Sequence, residues 1–167
     1  DEDYNPNELS PSIFWKNEDD ILKGLTSVYA YLQPNMNWAA PFERFIVTDN
    51  YRSDELDFRP DVTSWLQLAT FTNESDNSVV LNEWNYLYKG INYANQCIEN
   101  IPNVQNTSDD TKNKAVAEAR FLRAYLYYRL LINFGDRIPL FTTQITGSNE
   151  EFYPPQAETG VIKDFIE

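Results

Sequence analysis

The chain has 167 residues, 42% of them hydrophobic and 15% aromatic, which is enough apolar mass for the core of one domain or of a piece of a larger one. Its 13 basic residues are scattered among 26 acidic ones and leave a net charge of -13, which argues against nucleic acid or an anionic membrane surface as a partner. It has no histidine and a single cysteine, so zinc chemistry and histidine-based triads are excluded within this stretch.

Residues 1–15 are polar with two prolines and read as an extended leader. A first helix follows, with Ile21, Leu22, Leu25, Val28, Tyr29 and Leu32 at 3.6-residue spacing. Asn17 is its expected N-cap, Glu18, Asp19 and Asp20 suit the positive end, and Pro34 is the expected stop. Residues 35–79 carry no sustained period. "RFIV" at 44–47 reads as a short extended piece and "SWLQLATF" at 64–71 as a short helix or irregular segment. Ordinary connections run to about 4–6 residues, and much longer ones are often functional.

"VVLNEWNYLYKGINYANQCIENI" is a strong helix. Trp84, Leu87, Tyr88, Ile91, Ala94, Cys97, Ile98 and Ile101 form one stripe, closed by Pro102. Cys97, inside that stripe, reads as a small buried hydrophobe, and Gly90 as a point of close approach. A third helix is expected from about Thr111 to Phe134, with Asp109 and Asp110 leading into it. Ala115, Ala119, Leu122, Leu126 and Leu130 give one face; Ala117, Phe121, Ala124, Tyr128 and Leu131 give another. A helix apolar on two sides is expected to lie buried between neighbours. Its arginines, Arg120, Arg123 and Arg129, then serve as caps for loop carbonyls or partners for carboxylates. Gly135 is expected at C′ in a left-handed conformation. After a proline-containing loop, Val161, Ile162, Phe165 and Ile166 begin a fourth stripe that stops within little more than two turns, as if cut inside a helix.

Surplus rings can fill helix contacts or line a ligand surface. Trp38, Tyr51 and Trp65 belong to no periodic face, so they are the candidate ligand-stacking rings; Asn50, Arg52 and Asp54 beside Tyr51 are the candidate hydrogen-bonding groups. The alternative is that the same rings pin the loop to the helices. Asp49, Asp54, Glu55 and Asp57 supply carboxylates that paired glycosidase chemistry needs, but in so acidic a chain proximity by chance is common. "DNYRSDELD" lacks the central glycine and the terminal glutamate offset of a calcium loop, so no metal and no cofactor is expected.

"EARFLRAYLYYRLLINFGDRIPLF", residues 118–141, resembles the signature helix of the SusD/RagB family, whose pattern runs E-A-[KR]-F-L-R-A, then rings and aliphatics, then F-G-[DG]-[VI]-P-L. "DDILKGLTSVYAYL", "VTDNYRSDE", "GVIKDFIE" and the Trp84, Tyr88, Ile91, Asn95 pattern resemble further family segments, so the resemblance spans nearly the whole chain. It implies an all-α fold of tetratricopeptide-like helical hairpins with long irregular loops. It also implies that residues 1–167 are the N-terminal part of a longer protein. Family members are surface-exposed outer-membrane lipoproteins of Bacteroidetes, not catalysts. They bind glycan, or in some relatives peptide, and sit on a SusC-like TonB-dependent transporter. The lipid anchor they use is a cysteine that this chain does not contain. A helical-repeat module serving only protein–protein contact is the rival reading from a different class.

Overall fold

The computed structural model describes residues 14–32, 48–55, 60–145 and 154–167. Trp38 and the "RFIV" segment lie outside the described residues. The described elements are helical throughout: α1 (Glu18–Tyr29), the single turn α2 (Thr48–Asn50), α3 (Thr63–Ala69), α4 (Ser78–Asn100) with a 3-10 turn at Ile101–Asn103, α5 (Asp109–Phe134) and α6 (Val161–Ile166).

Each long helix begins at a side-chain cap. Asn17 Oδ1 accepts the amide of Asp20 at 3.2 Å, and the acidic residues 18–20 fill the first turn of α1. Asp20 is then held below the usual carboxylate range by the Lys23 ammonium, with help from the Lys16 amide. Asn77 Oδ1 accepts from the amides of Val79 and Val80 to open α4. Ser108 Oγ accepts from Thr111 N at 3.1 Å, so α5 starts two residues earlier than its apolar period alone indicates, with Asp109 and Asp110 inside its first turn. α1 ends earlier than Pro34 suggests, because the amides of Tyr31 and Leu32 turn back to the carbonyls of Val28 and Tyr29. Gly135 has the positive φ expected of it, 83°, but ψ is -177°. The backbone therefore leaves α5 extended rather than in a left-handed turn, a conformation in which a Cβ is strained.

α4 and α5 form an antiparallel hairpin, since Asn95 meets Arg123, Gly90 meets Leu126 and Glu83 meets Arg129. The pair can close because Gly90 is small. A Cβ there would lie 2.9 Å from Leu126 Cδ1 and 2.9 Å from Tyr31 Cβ. α1 lies across both helices and α6 docks on α5. Ile21, Leu25, Val28, Leu87, Ile91, Cys97, Ala119, Leu122, Leu126, Leu130 and Ile162 belong to the one core they share. Trp15, read from sequence as part of the leader, packs against that core. Among the described residues no helix is long and apolar enough to cross a membrane.

One expectation for α5 is overturned. Its first apolar face is buried, but on the second Phe121 and Tyr128 are exposed and Ala124 and Leu131 are only half-buried. The reason is geometric: α1, α4 and α6 pack on α5 with the buried set Ala115, Ala119, Leu122, Leu126, Tyr127 and Leu130 at their common centre. The outward side is left open.

Candidate functional site

The segment after Gly135 is an extended strap, with no sheet among the described residues to satisfy its backbone. Its polar groups therefore have to find side chains. They find one face of α4: Tyr88, Asn92, Asn95 and Glu99, at helical spacing. Tyr88 Oη donates to Pro139 O at 2.8 Å; Asn95 Nδ2 donates to the carbonyls of Phe141 and Thr143; Glu99 accepts from the Gln144 amide and Asn92 from the Ile145 amide. Tyr88 to Glu99 rises about 16 Å along a helix, the reach of about five extended residues, which is the step from Pro139 to Gln144.

α5 closes the strap from the other side. Tyr127 Oη accepts from Phe141 N at 2.7 Å and donates to its carbonyl, while Arg123 donates to Asn95 Oδ1 at 2.7 Å and to Thr142 O at 3.0 Å. Arg123 also lies over the Phe165 ring, 4.9 Å from its centroid. Burial is the main reason Arg123 sits below its ordinary pKa, and burial pushes the Tyr88 and Tyr127 phenols well up. Asp136 accepts the Gly160 amide at 3.2 Å, which ties the start of α6 to the end of α5. These arginine, tyrosine and aspartate contacts are scaffold, and they explain why the stretch 118–141 carries so many rings and charges.

A second, smaller cluster lies where α3 meets the start of α4. Tyr51, Leu68 and Val79 are buried, with Trp65 and Val80 packed on them. Tyr51 and Trp65, both singled out by sequence, come together as a T-shaped pair with centroids 5.7 Å apart. Tyr51 is 7% exposed and Trp65 half-buried. Asn50 and Asp54 are exposed and Arg52 half-buried along the same loop. Arg52 Nε is buried and meets no acceptor among the described residues. Asn77 joins this cluster to the helices: while its oxygen caps α4, its Nδ2 donates to Ser64 O at 3.0 Å and to Gln67 Oε1 at 2.8 Å in α3.

The loop is also tied to the hairpin by charge. Arg129 grips Asp49 with two hydrogen bonds, 2.7 and 3.0 Å, and reaches Glu83 at 3.5 Å. The Arg129 and Glu83 side chains are buried, that of Asp49 30% exposed. Burial opposes the arginine charge, but the Asp49 and Glu83 carboxylates outweigh it and leave Arg129 above its ordinary pKa. Asp49 is thus engaged as an ion-pair partner, one residue from Asn50. A neighbouring cleft is lined by Tyr31, Tyr86, Leu87 and Tyr125 together with Glu83 and Arg129.

Sequence reading did not pick out Asn77, Asn92, Glu83 or Glu99. The signals were present: Asn77 stands immediately before an apolar helical run, and Glu83 interrupts the stripe Val79, Leu87 at the i, i+4 spacing. Among the described residues no group of three or more carboxylates or thiols is gathered to hold a metal ion.

The sequence profile of a family described as "SusD-like_3: Starch-binding associating with outer membrane" matches residues 4–160. SusD-like protein P2 of Formosa agariphila is 30% identical over 144 residues, which are 85% of this chain and 28% of that protein. SusD-like protein P38 of the same organism is 29% identical over 158 residues, 95% of this chain and 30% of that protein. Among solved structures, surface glycan-binding protein A from Bacteroides fluxus has a similar fold, with a TM-score of 0.73 at 23% identity over 90% of this chain and 31% of that one. The chain therefore spans under a third of the length of the relatives it matches. With a profile match across nearly its whole length and the all-α architecture that the family resemblance implies, this chain belongs to the SusD-like family.

Proposed function

We propose that the chain is the N-terminal part of a longer glycan-binding protein held at the outer-membrane surface, which captures oligosaccharide or polysaccharide and delivers it to a SusC-like TonB-dependent transporter. Family membership supports the glycan class, since the matching family is described as starch-binding and associated with the outer membrane. The observation that carries a contribution from this part of the protein is the meeting of loop 48–55 with α3. There the half-buried Trp65 is braced edge-to-face by Tyr51 next to Asn50, Arg52 and Asp54. A ring offers a flat apolar surface to the C–H face of a sugar, and the amide, guanidinium and carboxylate serve its hydroxyls. Capture by stacking and hydrogen bonds is reversible and needs no catalytic group.

Affinity electrophoresis and glycan arrays with the full-length gene product test both levels. Binding of a glycan that falls at least tenfold, or about 1.4 kcal/mol, in Trp65→Ala and in the exposed variant Asp54→Asn supports the site. Retained affinity in both variants, with unchanged melting temperatures, removes the site from this region but leaves the function. Binding of peptides in place of any glycan overturns the ligand class. Co-purification from native membranes with a large outer-membrane β-barrel supports delivery, and its absence removes that step.

A further inference from the structure

Loop 48–55 is held to the helices on both sides of Asn50. On one side the Tyr51 ring is buried with Leu68 of α3 and Val79 of α4. On the other, the Asp49 carboxylate accepts two hydrogen bonds from Arg129 of α5, at 2.7 and 3.0 Å. The loop's own hydrogen bonds are local: Ser53 N and Ser53 Oγ donate to Asn50 O, and the Glu55 amide donates to Ser53 Oγ. These bonds shape the turn but do not place it on the helices. A single buried ring lets a short turn pivot about it, whereas a second anchor beyond Asn50 fixes its orientation. A planar guanidinium gripping a carboxylate with two bonds sets direction as well as distance.

The grip is itself held firmly. The Arg129 side chain is 7% exposed, and Glu83 of α4 lies 3.5 Å from it. Glu83 already gives the guanidinium a buried countercharge within the hairpin, yet the closer, two-bond contact goes to the loop. Both halves of the candidate glycan site are thereby referenced to α4: Asn77 ties down α3, which carries Trp65, and Glu83 seats the arginine that ties down the loop. Asn77 and Glu83 stand about 9 Å apart along that helix. We propose that Arg129 is a positioning residue for this site. Acting through Asp49, it sets where the loop presents Asn50, Arg52 and Asp54 relative to the Trp65 ring. The inference rests on the reading of that site as glycan-binding. Groups held in place before a ligand arrives lose less freedom when it binds, and that is how an ion pair seated in the hairpin raises affinity.

Affinity electrophoresis of the full-length gene product, in gels containing soluble starch, xylan, laminarin or pectin, tests it, with melting temperatures measured alongside. Asp49→Asn keeps the size of the side chain and leaves Arg129 its Glu83 partner. It is expected to weaken binding of the best-retained polysaccharide roughly fivefold, while the melting temperature stays within about 2 °C of wild type. Glu83→Gln disturbs the same buried group from the hairpin side but leaves the Asp49 pair in place, and is expected to change affinity by less than about twofold. Trp65→Ala combined with Asp49→Asn should lose less than the product of the two separate losses, because both act on one site. Unchanged affinity in Asp49→Asn, an equal loss in Glu83→Gln, or the full product in the double variant overturns the positioning role. So does a loss in Asp49→Asn that comes with a large fall in melting temperature. Failure of the site itself looks different: no gel retards the wild type, or Trp65→Ala binds as wild type does, and the positioning role falls with it.

Discussion

Arg129 shows how much one buried side chain can control. Among the described residues it meets two carboxylates: Glu83 is buried beside it, and Asp49 anchors the loop that carries Asn50, Tyr51 and Arg52. Replacing it with methionine keeps most of the volume but removes the guanidinium that Asp49 and the buried Glu83 carboxylate face. The expected loss is about 3–5 kcal/mol of unfolding free energy in chemical denaturation. Arg129→Met combined with Glu83→Gln is expected to lose clearly less, and equal losses in the single and double variants would refute the charge argument. Cys97 makes a second residue-scale prediction. Burial pushes its thiol from 9.0 up to about 12. The unfolded thiol ionises near pH 9 while the folded one stays protonated, so the unfolded state then binds fewer protons. Its contribution to stability is complete below pH 9 and is lost as pH rises towards 12, by at most about 1.4 kcal/mol per pH unit. The buried Tyr88 and Tyr127 phenols add to the loss above about pH 10. Denaturation midpoints of the wild type and Cys97→Ala between pH 8 and 10.5 should diverge in that direction.

At the scale of elements, the decisive contact is between α4 and α5, and Gly90 sets its spacing. Alanine at this position gains about 1 kcal/mol of helix propensity, yet its Cβ would press on Leu126 and on the Cβ of Tyr31. Leu126 is fully buried and has little room to turn away, and a Cβ cannot rotate away at all, so overpacking of about 1–3 kcal/mol outweighs the propensity. Gly90→Ala is therefore expected to lower stability by up to about 2 kcal/mol; a more stable variant would mean the helices can separate freely. The same hairpin was legible from sequence because its apolar residues recur with the helix period. The strap could not be read that way, since extended backbone carries no such period. Its partners Tyr88, Asn92, Asn95 and Glu99 are visible only when residues 136–145 are seen lying along α4. The assignment of Arg123 and Arg129 to loop carbonyls and carboxylates agrees with the structure, where they meet Thr142, Asp49 and Glu83.

For the whole molecule, net charge is the dominant electrostatic fact. With -13 distributed over 167 residues, the compact state repels itself more than the expanded chain does. Exposed pairs such as Lys114 with Asp110 offset little of this. Raising sodium chloride from about 0.02 to about 0.3 M shortens the screening length several-fold, so the melting temperature should rise. A fall would show that the attractive pairs outweigh the general repulsion. The buried Arg129 group is screened much less and keeps the loop tied at both ionic strengths.

The sequence alone determined the three long helices and the start of the last one, the cap at Asn17 and the glycine at the end of α5, and the family, because these depend on local chemistry and on a pattern carried by consecutive residues. It also marked Tyr51 and Trp65 as rings that no helix face claims. Only the tertiary structure decided that these two rings meet edge-to-face, that Asn77 staples α3 to the helix it caps, and that Asp49 is held by an arginine 80 residues away. It likewise decided which apolar side of α5 is buried. Two such sides are equivalent in a helical period, and the choice between them belongs to whatever packs against the helix: α1, α4 and α6 took one, and the other stands open.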